Sequence, residues 1–424
     1  MKRILTCVLA VLAMALAAAC HNSGSDQNST QARFVNAVID SDPLDFLIDD
    51  SVKSAAVAVG STSSFSEFSS GTHDVKLRSQ SGTVVLDKSL GFSSGTHYTI
   101  IAFGKRASIN TAMLTDDIGG PSSGHFKVRF VGLSPDVGPV DVYFATGGDI
   151  SSIAPAQAGV AFGTTTDYVE VTPGNFNVIF TLAGTKDIIF QSSSTQSFTD
   201  GGIYTIGVFP TFGGKLANAL LLVNNGAATF LTNPLARLKA VNGIPDSTLI
   251  NFKANGTTLL SSVPFIGSST YVTTASGQRT LQIEASSVPG TIIASASVTL
   301  SPALDYTMLA LGSIAQPRLA VLTDDNTVPP TGFAKIRFVN ATNGVGNVDV
   351  LLDFASQATG IAPGTASAYS SVAPKLDYTI SFTTPGGVTQ LASLTPVELD
   401  ANAVYSAYLF GASGSLQAKL VRDR

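Results

Sequence analysis

The chain has 424 residues, a formal net charge of −5 and only 12% charged side chains. No basic stripe exists to follow a phosphate backbone, which excludes nucleic acid as a partner. Its two cysteines, Cys7 and Cys20, both lie in the first twenty residues, so no disulfide framework or cysteine-ligated metal is available further on.

The start reads as a secretory signal peptide over 1–19. Lys2 and Arg3 supply the positive end, and an apolar stretch from Ile4 to Leu16 leads into Ala17, Ala18 and Ala19. That stretch is shorter than the ~20 residues of a membrane span, so cleavage after Ala19 is the expectation. Ala17-Ala18-Ala19-Cys20 resembles the lipobox of bacterial lipoproteins, although Ala17 stands where Leu, Val or Ile is usual. The resemblance implies acylation of the Cys20 thiol and a mature chain of charge about −7, with no free thiol. The alternative is an ordinary signal peptide that leaves an unpaired thiol, a liability in an oxidising compartment. Neither His21 nor Asn22 is the Asp that retains many lipoproteins at the inner membrane, which implies the outer membrane in a Gram-negative source. Residues 20–31 are then a lipidated tether. The eleven residues HNSGSDQNSTQ are too polar to bury a core and span about 18 Å as flexible coil.

Beyond the tether the chain repeats itself four times, over 32–119, 125–226, 235–325 and 333–424. ARFVNA, VRFVGL, LKAVNG and IRFVNA place Arg33, Arg129, Lys239 and Arg337 at matching positions. Twelve residues further on stand Asp45, Asp141, Asn251 and Asp349, and a third landmark is Tyr98, Tyr204, Tyr306 and Tyr405. Each unit closes on MLTDD, LLVNN, AVLTDD or KLVRD. A period near 100 residues suits a small sandwich rather than a solenoid repeat of ~20–45 residues. Within a unit, Val140, Val142 and Phe144 alternate with Asp141 and Tyr143, the period of a half-buried strand. HYTIIAFG and IYTIGVF are continuously apolar, as expected of a central strand covered on both faces. About seven strands per unit follow, making the chain all-β. The repeated tyrosine resembles the tyrosine corner of immunoglobulin-like domains. The expected fold is therefore four tandem immunoglobulin-like β-sandwiches, with a pair of interlocked barrels as the alternative.

RFVNA…LDFLI, RFVGLSPDVGPVDVYF and RFVNATNGVGNVDVLL, each followed by YT or YS and a closing MLTDD, LLVNN or KLVRD segment, are similar to the family called domain of unknown function 4397. The resemblance extends over 32–424, is strongest in units one, two and four, and departs in unit three at Lys239 and Asn251. It implies tandem domains on secreted or lipid-anchored bacterial proteins, and no established activity.

Few residues offer chemistry. Gly120, Ser122 and Gly124 match G-x-S-x-G, yet the segment is a linker without the strand-to-helix turn that a nucleophile elbow requires. His73, His97 and His125 have no metal-binding spacing. Asp40, Asp42 and Asp45, with the closing pairs Asp116-Asp117 and Asp324-Asp325, could offer oxygens to Ca²⁺, but polar turn residues account for them better. No catalytic residue, metal or cofactor is expected. The basic and acidic landmarks are expected to face each other across a first hairpin, coupled by ~0–1 kcal/mol as a surface pair.

The expected function is non-enzymatic: a lipid-anchored envelope protein with four beads on linkers of about ten residues, reaching on the order of 100 Å, for adhesion, spacing or binding of a protein or glycan partner. The alternative is a carbohydrate-binding or scaffolding module of an envelope enzyme system, with Phe65, Phe68 and Phe212 as its ring platform.

Overall fold

The computed structural model describes residues 28–424; Ala19, Cys20 and the tether up to residue 27 lie outside the described residues. Every described unit is a two-sheet β-sandwich. In the first, eight strands run β1 (Ser29–Val38), β2 (Leu44–Ile48), β3 (Ser51–Val57), β4 (Ser66–Ser69), β5 (Gly71–Ser79), β6 (Val84–Phe92), β7 (His97–Lys105) and β8 (Ser108–Thr115). One sheet has the order β4-β1-β7-β8 and the other β3-β2-β5-β6. The third and fourth units repeat this order, while the second splits β6 in two and adds Ala228–Leu231 as an extra edge strand. β1 therefore starts at Ser29, three residues ahead of the expected boundary, and the stretch 226–235 is partly strand rather than free linker.

The repeated tyrosine makes the corner the sequence suggests. Its Oη accepts the backbone N–H of the residue five positions earlier in all four units: Ser93 to Tyr98 (3.0 Å), Thr199 to Tyr204 (3.1 Å), Ser301 to Tyr306 (2.9 Å) and Asp400 to Tyr405 (3.0 Å). β1 does not pair with β2. It runs parallel to β7, with Arg33 beside Thr99, and antiparallel to β4, whereas β2 belongs to the opposite sheet, where Asp45 faces Arg78. The expected Arg33–Asp45 hairpin pair does not form, and Arg129–Asp141 and Arg337–Asp349 are separated in the same way, in different sheets.

Period-two alternation divides the central strands between two cores. In β7, Tyr98, Ile100 and Ala102 point into the unit's own sandwich, and Ile101 and Phe103 point out of it. The outward set is buried too, because it meets Val131, Leu133, Phe209, Leu220 and Leu222 of the second unit. The third and fourth units close the same kind of seam with Val241, Leu309 and Leu311 against Val339, Ala341, Tyr408 and Phe410. This double covering explains the continuous apolar runs.

The sandwiches thus pair, one with two and three with four, and the two pairs touch. Arg424 donates to Gly214 O (3.2 Å), Asn326 O (2.9 Å) and Asp136 O (2.6 Å), and the Val328 N–H reaches Asp136 Oδ1 (2.6 Å). A Cβ on Gly214 would come within 2.4 Å of Asn326 O, so glycine is what allows this approach. Asn233 pins the connection between units two and three through Ile189 O and Ala217 O, both at 2.7 Å. An extended file of four separate beads is not what forms, since exposing four apolar outer sheet faces to water would be unfavourable.

Candidate functional site

The basic landmarks sit on the outward face of the first strand in each unit, inside the seams. Arg129 donates from Nε to Thr205 Oγ1 (2.9 Å) and from Nη2 to Asp116 Oδ1 (3.4 Å) of the neighbouring unit. Arg33 donates to Thr99 Oγ1 (2.8 Å), Gly226 O (2.5 Å) and Val223 O (3.2 Å), and its Nη2 lies 3.7 Å from Asp116. In the second seam Arg337 donates to Ser406 Oγ (2.9 Å) and to Asp324 Oδ1 (2.5 Å) of the third unit, while Lys239 bonds Asp423 of the fourth. Thr307 and Ser406 donate to Asp324 (2.6 Å) and Asp423 (2.5 Å).

In the second seam the arrangement is reciprocal, as in an isologous interface: each unit's base meets the other unit's closing carboxylate. The first seam lacks one carboxylate because Asn224 replaces it, so Arg33 turns to backbone carbonyls and both arginines share Asp116. Electrostatics follow this difference. Burial pushes the Asp116 carboxyl up and both guanidiniums down, against the attraction among them. At Asp324 burial would also raise the carboxyl, but Arg337 and Lys239 overcome it and hold the group below the ordinary range.

An aromatic ring covers each base: Phe65 on Arg33 (4.9 Å), Tyr168 on Arg129 (4.8 Å), Tyr271 on Lys239 (5.2 Å) and Tyr369 on Arg337 (5.0 Å). Three of these rings come 32 residues after their base, a repeat that was readable in the sequence but missed. The closing aspartates were visible as landmarks, yet the base that meets each of Asp116, Asp324 and Asp423 across a seam lies in the neighbouring unit.

The acidic landmarks do a separate job. Asp45, Asp141, Asn251 and Asp349 each sit where the second strand slips register against the third. Their Oδ1 accepts the N–H of the bulged residue, at Ala56 (2.9 Å), Gly159 (2.9 Å), Ser262 (2.9 Å) and Gly360 (2.7 Å), all with positive φ. The bulge needs an acceptor and not a charge, so asparagine serves in unit three. At Asp45 the Ala56 N–H, helped by Arg78, holds the carboxyl below its usual range. Asp141 Oδ2 also takes the Gly184 N–H (2.8 Å). Asp141→Ala strands both donors and should cost about 1.5–3 kcal/mol in urea unfolding, while Asp141→Asn, which keeps one acceptor, should cost clearly less.

A family model described as "Domain of unknown function (DUF4397)" matches residues 30–143, 236–351 and 334–424. The chain belongs to this family. In this DUF4397 chain, the first two matches run past one unit into the second strand of the next; they span unit three, and they leave most of unit two unmatched. No curated protein matches the chain. Among solved structures, the Bacillus anthracis TIE protein is similar at 11% identity, over 92% of this chain and 69% of that one, with a TM-score of 0.15, too low to carry an argument.

The remaining DUF4397 residues with chemical potential are engaged by the protein. His73 Nδ1 lies 2.6 Å from Asp49 and Nε2 lies 3.4 Å from Ser69 Oγ, the outline of a triad. Nε2 is closer to Ser69 O, at 2.8 Å, and a ring nitrogen that donates to a carbonyl has no lone pair left for a hydroxyl proton. Ser122 stands in a turn whose N–H meets Glu170 (3.1 Å), ahead of the strand Phe126–Gly132 and with no helix after it. Asp40 and Asp42 hold Arg106, Asp117 holds His97, and Asp325 holds Lys335. Among the described residues no group of three or more His, Cys, Asp or Glu could hold a metal ion.

Proposed function

We propose that this chain is a non-enzymatic, lipid-anchored cell-envelope protein, held through Cys20 at the outer membrane of a Gram-negative source, that presents two rigid double sandwiches to a protein or glycan partner. The observation that carries this reading is the double covering of every central sheet. It commits the buried charges to the seams and leaves the second sheet of each unit facing outward, with strands such as Val84–Phe92 and Ile292–Leu300 largely exposed between their inward residues. A body locked at its seams suits partner binding and adhesion better than long-range spacing.

The glycan-platform alternative draws less support. Phe65 is taken by Arg33 and Phe68 packs edge-on against Phe92 at 4.9 Å, which leaves Phe212, 65% exposed, as the free ring of the three. The anchor is tested by fractionation. Wild-type protein should stay with membranes and carry acyl mass on its first mature residue, and Cys20→Ala should move it to the soluble fraction. Wild-type protein that is soluble and unacylated overturns the anchored reading.

A further inference from the structure

A cleft of about 560 Å³ opens between the second and third units, within the size range of small-ligand sites. Leu182, Ile188, Ile189, Leu216 and Val272 give it apolar walls, and Lys186, Lys215 and Arg237 bring three cations against one carboxylate, Asp187. These cations are not equally spent. Lys186 donates to Ile150 O and Ile153 O, both at 2.8 Å. Arg237 gives Nε and Nη2 to Asp305, and its Nη1 makes no hydrogen bond among the described residues. Half-buried Lys215 has neither a hydrogen bond nor an ion pair there.

An ammonium partly removed from water without an acceptor is costly, and this one also stands near Arg237 and Arg424. Burial first, then those two guanidiniums, bring Lys215 down to about 8, with Asp305 and Asp136 opposing. The unspent donors therefore lack one thing, an oxyanion. We propose that the cleft binds a small organic anion, its carboxylate head taken by Lys215 Nζ and Arg237 Nη1 and its aliphatic body laid on Leu182, Ile189 and Leu216. The site is composite, because Arg237 comes from unit three and the rest of these residues from unit two, so it exists only while the two pairs hold together.

The probe is hexanoate, titrated by calorimetry into the full chain carrying Cys20→Ala, which needs no detergent. Inorganic phosphate and hexyltrimethylammonium serve as comparisons. Hexanoate should bind, Lys215→Met should weaken it about tenfold or more, and Lys215→Arg should retain it within about threefold, the scale of one charged hydrogen bond. Hexyltrimethylammonium should not bind, and phosphate should bind more weakly than hexanoate. Affinity should also fall between pH 7 and 9.5 as Lys215 loses its proton, among Lys186, Asp187, Arg237, Asp305, Asp136 and Arg424. Absence of hexanoate binding at millimolar concentration, equal affinity in Lys215→Met, or phosphate binding as tightly as hexanoate each overturns the proposal. If Lys215→Met does not fold, Lys215→Arg and the pH series still decide. Failure of the fractionation experiment would leave this site untouched, since it does not depend on the anchor.

Discussion

Asp324→Ala should destabilise the third and fourth units by about 3–5 kcal/mol, the cost of leaving a buried charge without its partner. Asp324 and Arg337 are each 1% exposed, and the carboxylate also accepts from Thr307 and from Tyr271 Oη, both at 2.6 Å. Removing it strands a guanidinium and two hydroxyls inside a seam closed to water. Combining Asp324→Leu with Arg337→Met should recover part of the loss, because the uncompensated charge goes too, while Thr307 and Tyr271 stay without their acceptor. The chain has no Trp, so urea transitions followed by far-UV circular dichroism and by pulse proteolysis, which resolves the two seams, are the measurement. A loss under about 1 kcal/mol, the range of an exposed pair, would show that the seam is open to solvent.

The same carboxylates give the two seams opposite responses to acid. Asp324 is held below its ordinary value, so the stability it contributes is present above about pH 4 and lost as pH falls through its folded value. Asp116 is raised by burial, so protonation favours its folded state and its contribution falls as pH rises through its folded value. Between about pH 5 and 3 the stability lost in Asp324→Asn, read by the same proteolysis pulses, should therefore shrink as pH falls, while the effect of Asp116→Asn should move the opposite way.

Phe410→Ala should cost about 3–5 kcal/mol, as for a large side chain deleted from a packed core. In a solitary sandwich Phe410 would stand on the outer face of its sheet, and its truncation would change stability by no more than about 0.5 kcal/mol. In this structure it is fully buried, stacked on Tyr408 at a centroid distance of 5.4 Å and set edge-on to Phe265 at 6.3 Å across the seam. A near-neutral result in equilibrium unfolding would mean that units three and four fold apart.

Sequence and structure agree where the information is local and part where it is not. HYTIIAFG announces a strand covered on both faces, because period-two geometry turns every second residue outward and those residues are apolar as well. What covers the outer face lies in another unit, and nothing within the eight residues names it. The tyrosine corner is likewise legible, since its bond spans five residues. Arg33 and Asp45 mislead for a physical reason. A constant spacing of twelve suggests a hairpin, but β2 crosses to the opposite sheet and β1 pairs with β7, some 66 residues away.

Alternation, repetition and turn residues in the linear chain are enough to determine an all-β protein of four like sandwiches, since strand period and local hydrogen bonds act over a few residues. Only the tertiary structure decides that the sandwiches pair, that each closing aspartate meets a base of its neighbour, and that Lys215 is left beside Arg237 in a composite cleft. Those contacts join residues of different units, from 13 positions apart at Asp116 and Arg129 to 184 at Lys239 and Asp423, and they follow from burying whole sheet faces, for which the chain carries no local mark.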